Sequence, residues 1–140
     1  MRAGRIKRSI LYLWTSPTTL VGLSAGALTL VTGGRVQRKD GLLEFHGGFS
    51  RWWLRRISGG ASAMTLGHVI LGQDEECLDF CREHEQVHVR QAEIWGATFL
   101  PAYVLASLWE ALRGRHYYFD NWFEREARAR CGEVRHRVKR

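Results

Sequence analysis

From Ser9 to Gly34 the chain runs 26 positions without a charged residue. No other feature restricts the fold as strongly, because so long an uncharged stretch has to be covered either by protein or by lipid. Its middle, TTLVGLSAGALTLVTGG, follows Arg2, Arg5, Lys7 and Arg8, the order of a signal anchor or a membrane-embedded helix. Thr15, Ser16, Pro17, Thr18, Thr19 and four glycines dilute its apolar character. No small-x-small site leading into a polar start marks a cleaved leader. Two readings stay open: a segment that lies in or re-enters a membrane from the cytoplasmic side, or a helix of the protein core.

The rest of the 140 residues suffices for one domain core. We divide the chain into a basic N-terminus with an apolar helix (1–34), a metal-binding domain (35–132) and a basic tail (133–140). The net charge of +7 belongs to the ends: residues 1–8 carry +4 and 125–140 carry +5, so the body between them is net acidic. Such termini suit an anionic surface, and an anionic membrane is the expected partner. Nucleic acid is set aside, since no zinc-finger spacing, RNA-binding aromatic signature or helix-turn-helix accompanies the charge. Cys77, Cys81 and Cys131 are too few for a disulfide framework and point to a reducing, cytoplasmic setting. Cys77 and Cys81 sit one helical turn apart in line with two histidines, but small buried hydrophobes are the commoner role for such thiols.

In GRVQRKDGLLEFHGG, Asp40-Gly41 predicts a hairpin turn. FSRWWLRR reads as a short amphipathic helix stopped at Gly59-Gly60. SAMTLGHVILG reads as one strand ended by Gly72. Asp74 to Trp95 reads as a helix with acids in its first turn and Gly96 beyond its end. A second, nearly all-apolar helix, FLPAYVLASLWEALRG, closes at Gly114, and Asn121 is a good cap for a last one.

The first of these helices carries His-Glu-x-x-His in CREHEQVHVRQAEIWG: His84, Glu85 and His88. At about 100° per residue the two histidines stand about 40° apart, close enough for both imidazoles to reach one metal ion. Glu85 flanks that face, where a carboxylate can serve a water as general base without ligating the metal. Gln91 lies at about −20° and can hydrogen-bond within the site. A catalytic zinc takes three protein ligands and a water. Position 94 is Ile94, which excludes the class with a third histidine in the same helix, and Glu93 points to the helix's far side. Glu110, Asp120, Glu124 and Glu126 remain as third ligand. Phe123, Ala127, Cys131 and Val134 define an inward face that Glu124 borders, whereas Glu126 points mostly to water, so Glu124 is the better of that pair.

HEQVHVRQ, an apolar helix and then NWFEREA together resemble gluzincin-type zinc metallopeptidases, the broad group of the prenyl-protein endopeptidases and the membrane sensor of β-lactam resistance. LGHVIL, HEQVHVRQAEIWG, FLPAYVLASLW and NWFEREA are more closely similar to a family of small bacterial proteins with an HExxHxxQ…NxFExxA pattern, over roughly residues 10–130. The resemblance implies His84, His88 and Glu124 as zinc ligands and Glu85 as base. Arg128 stands where membrane gluzincins carry an Asp that orients a ligand histidine, so that task falls to Glu44, Asp120 or a backbone carbonyl.

The expected fold is α+β and zincin-like: a small antiparallel sheet, the motif helix packed on it and a C-terminal helix bearing Glu124. The expected function is zinc-dependent hydrolysis of a peptide or protein substrate. The alternative is a non-catalytic metal-binding or membrane-associated module. In that module Glu85 would be idle or Cys81 would close the coordination shell; a deformylase-like site ranks last, because the upstream Cys motif of that class is missing. Tyr117 and Tyr118 are placed to steady an oxyanion. His68, inside the expected strand, would lie beside the substrate. His46 and His116 are expected in exposed loops and His136 on the surface of the tail.

Overall fold

The computed structural model describes residues 2–131; His136 and the tail from 133 lie outside them. Helix α1 (Arg2–Val31) is followed by strands β1 (Arg35–Lys39) and β2 (Leu42–His46) and helix α2 (Gly48–Arg56). Strands β3 (Ala63–Leu66) and β4 (Val69–Gly72) lead into α3 (Glu75–Trp95), a short 3-10 turn, α4 (Phe99–Leu112) and α5 (Trp122–Arg130).

The uncharged stretch is helical as far as Val31, with Pro17 inside the helix. Proline has no N–H for the Leu13 carbonyl, and Ser16 Oγ donates to that oxygen instead at 2.7 Å. The first hairpin turns where expected. Asp40 and Gly41 both adopt positive φ, 53° and 79°, as a two-residue turn matched to strand twist requires.

The sheet departs from expectation in two ways. SAMTLGHVILG is two strands: Gly67, at φ 66°, opens a tight turn with His68, and β3 pairs back on β4 antiparallel. The sheet is also mixed, in the order β1-β2-β4-β3, because β4 lies parallel to β2. Helix α2 carries the chain across so that β4 runs beside β2 in the same direction, and β3 is left at the edge. All four β4 residues are buried, which accounts for its continuous apolar run.

The two faces of the sheet bury separate clusters. Leu42 and Ile70 pack against Leu78 and Val89 of α3. Phe45, Leu66, Val69 and Leu71 face the other way, toward Ala25 of α1 and Leu100 of α4. The helix before residue 34 therefore shares a core with the strands after it. Contact is close: a Cβ on Gly26 would stand 2.5 Å from the Phe45 ring, and one on Gly96 2.1 Å from the Trp14 indole. Buried Glu44 of β2 is held by Arg82 of α3 through two bonds, 2.9 and 3.0 Å, and by Gln37 at 2.7 Å. It is thus committed to fixing α3 on the sheet.

Because Phe45 is buried and has little room to retreat, Gly26→Val is expected to destabilise the fold by about 1–3 kcal/mol, the cost of overpacking. Urea unfolding of the variant beside wild type checks this.

Candidate metal centre

Helix α3 is well specified. Asp74 caps it by accepting from the Cys77 N–H at 2.8 Å, Glu75 and Glu76 occupy its first turn, and Gly96 ends it at φ 59°. This places His84, Glu85, His88 and Gln91 in mid-helix, all buried. Helix α5 starts at fully buried Asn121, whose Oδ1 accepts from the Phe123 N–H at 2.9 Å. The same side chain donates to Tyr103 O and Ser107 Oγ at 3.1 and 2.8 Å, locking the start of α5 to α4. Glu124 is thereby carried to the two histidines.

His84 Nε2 lies 2.9 Å from Glu124 Oε2. His88 Nε2 lies 3.1 Å from His84 Nε2 and 3.1 Å from Glu124 Oε1. Among the described residues these three form a group that could hold a metal ion. Their separations fall within about half an ångström of the roughly 3.4 Å between ligand atoms at about 2.1 Å from a tetrahedral ion.

The donor chemistry tests the fit further. Gln91 Nε2 donates to Phe123 O at 3.0 Å and to Glu126 Oε2 at 2.8 Å, and both of those atoms only accept. Its Oε1 must then face His88 Nδ1, 2.8 Å away, so Nδ1 carries the proton. In the neutral imidazole that leaves the Nε2 lone pair aimed at the other two ligand atoms, the tautomer a metal requires. Tyr103 donates to Glu124 Oε1 at 2.6 Å and orients the carboxylate. The residues fit a metal ion.

Without metal, the group trades protons internally. Burial disfavours charge on His88, but the hydrogen bond to Glu124 and the charges of Glu85 and Glu124 outweigh it and raise the imidazole to about 9. His84 is raised by the same balance. Burial pushes Glu124 up, and the bonds from His84 and His88 reverse this, holding it far below the usual carboxylate range.

Glu85 stands beside the trio and is not part of it. Its Oε2 accepts from Thr65 Oγ1 of β3 at 2.6 Å. Both residues line a cavity of about 510 Å³ with His88, Glu124, Tyr117 and Tyr118. Burial and the charge of Glu124 push the Tyr118 phenol upward, so it keeps its proton.

Other expectations are redirected. His68 is in the turn between β3 and β4 and away from this cavity: its Nδ1 lies 3.0 Å from Thr15 Oγ1 and its Nε2 2.9 Å from Glu93. Glu126 does not point mostly to water but receives Gln91 and Arg130. Of the other third-ligand candidates, Glu110 pairs with Arg115 at 3.4 Å and Asp120 accepts from the His116 N–H at 2.9 Å. For His88 the orienting task left open by Arg128 is met by Gln91, while Glu44 is committed to Arg82 and Gln37. His46 ends β2 half-buried, whereas His116 is exposed. The three cysteines form no disulfide among the described residues, and Cys81 is not in the metal group. Sequence reasoning missed Tyr103 and Thr65, which read as packing and strand residues; no spacing signal marks either.

Comparison with known proteins finds no matching family model, no matching curated protein and no matching solved structure.

Two outcomes follow. His84→Ala or His88→Ala should abolish stoichiometric metal by elemental analysis, and Gln91→Leu should weaken binding by about 10–100-fold, the scale of losing a ligand's orienting partner. In the metal-free protein, the raised histidines contribute stability that is complete below their unfolded value near 6.5 and lost as pH rises through about 9. Thermal melts in chelator should therefore drop between those pH values, while metal affinity rises over the same range as protons leave the ligands.

Proposed function

We propose that the protein is a zinc-dependent metallohydrolase of gluzincin-like, zincin type that cleaves peptide bonds, with Glu85 as general base. The observation that carries this reading is the position of Glu85. It is a buried carboxylate next to the His84–His88–Glu124 group, and it faces a cavity walled by Ala63, Met64 and Thr65 of edge strand β3. A structural metal site needs no such neighbour, whereas hydrolysis needs a base within reach of water and a place for the substrate backbone. The outer edge of β3 pairs with no other described strand, so an extended peptide can add there.

His84, His88 and Glu124 would hold a zinc ion, which would supply Lewis acidity, enough to bring the pKa of water to about 7. Glu85, steadied by Thr65, takes the proton of the attacking water and returns it to the leaving amine, so that water and amide become acid and amine. Tyr118, or Tyr117 beside it, donates to the carbonyl oxygen as charge gathers there. Tyr103 keeps Glu124 in place throughout. Ile57, Met64, Phe99, Leu100 and Val104 make the cavity largely apolar, which favours an apolar substrate side chain next to the cleaved bond.

Glu85→Gln should retain metal and lose hydrolysis by about 10²–10⁴-fold, because the amide fits but accepts no proton. A broad peptide library read by mass spectrometry checks this. Zinc-loaded wild type as inert as the variant would mean that the site only binds metal.

A further inference from the structure

Helix α1 is built inside out. Its buried stripe consists of Thr15, Thr18, Gly22, Gly26 and Thr29. On the opposite face stand Ile6, Ile10, Leu13, Leu20, Leu28 and Val31, each 48–79% exposed. Helix α4 shares part of the arrangement: Ala102, Ala106 and Ser107 turn inward beside Phe99 and Tyr103, while Leu105, Leu108 and Leu112 are 53–75% exposed. A helix that faces water buries its large apolar side chains and shows its polar ones. Small residues against protein with large apolar residues outward is the arrangement helices adopt against lipid.

The two helices cover the same face of the sheet. Ala25 of α1 and Leu100 of α4 pack on the same cluster of the sheet, and Trp14 of α1 lies against Gly96, where the chain enters α4. No described helix is long and apolar enough to cross a membrane. Charge at one end of α1 complements an anionic surface: Arg5, Lys7 and Arg8 are exposed, with no acid among the first eight residues. Arg8 also lines a cavity of about 380 Å³ with Arg38 and Arg90. The two acids in that cavity are already engaged, Asp40 by Gln86 at 2.9 Å and Glu93 by His68.

We propose that the outer faces of α1 and α4 dock into the surface of an anionic lipid bilayer, with the basic start of α1 and the arginine-lined cavity meeting headgroup phosphates. The helices lie along the membrane and do not cross it. Apolar area and charge act together in such binding, so it depends on both lipid composition and salt. The proposal is independent of the metal reading.

Flotation of the full chain with vesicles tests it. Binding to phosphatidylglycerol–phosphatidylcholine vesicles should exceed binding to phosphatidylcholine alone by at least about tenfold and weaken as salt is added. Leu13→Gln/Leu20→Gln, at exposed positions, should keep the wild-type circular dichroism and lose at least about tenfold in vesicle affinity. Failure of wild type to float with anionic vesicles, or equal flotation with neutral ones, overturns the proposal independently of how the variant folds. So does a lipid-free dimer by sedimentation equilibrium that the double substitution abolishes and vesicles do not dissociate, since a second copy would then be what covers this face.

Discussion

Two imidazoles and a carboxylate are buried together at the meeting of three helices, and each would be costly to desolvate alone. They are tolerated because each supplies what the others need. Glu124 gives the charge that His84 and His88 hold protons against, and Tyr103 takes its remaining lone pair. Gln91 closes the network by joining His88 of α3 to the Phe123 carbonyl and Glu126 of α5. The bonds that settle the tautomer of a ligand are therefore also the bonds that dock α5. Metal affinity and helix packing cannot be separated in such a design: what loosens one loosens the other.

The sheet is the frame for this network. Its two faces bury different clusters, with α3 on one and α1 on the other, so α3 is held from behind by Arg82 and Glu44 and from the side by Thr65. Thr65 belongs to the edge strand, and its hydroxyl ties Glu85 to the one strand of this region that has room for a further partner. On the opposite face, glycine and threonine let α1 approach closely enough for Thr29 to meet Ser50 of α2 at 2.7 Å and Thr15 to meet His68. That closeness is what leaves the bulky side chains of α1 nowhere to point but outward.

Local chemistry was readable wherever it needed no distant partner. The Asp40-Gly41 turn, the Asn121 cap and the stop at Gly96 are set by neighbours in the chain, and all appear where the residues place them, while Asp74, read as part of the first turn of α3, is its cap. The turn at Gly67-His68 was not read, because Leu66 and Val69 extend the apolar run across it and the glycine is its sole punctuation. His68 was accordingly put beside a substrate, although the turn delivers it to Thr15 and Glu93. The parallel pairing of β2 with β4 was equally hidden, since it depends on the path of α2 and not on either strand.

The sequence by itself determined that His84, Glu85, His88 and Gln91 share one region of a capped helix, because helical pitch fixes the spacing of residues three to seven apart. It also placed Glu124 at the border of an inward face. Only the tertiary structure decided that Glu124 is the carboxylate that joins the histidines in the metal group, because that choice rests on Asn121 pinning α5 to α4. Only it decided that Gln91 and Tyr103 orient the ligands. The uncharged stretch shows the division most plainly. Its composition demanded cover and left core and membrane as equal claims, since a single helix presents two faces and composition averages over both. Packing against the sheet separated them, small residues inward and large ones outward.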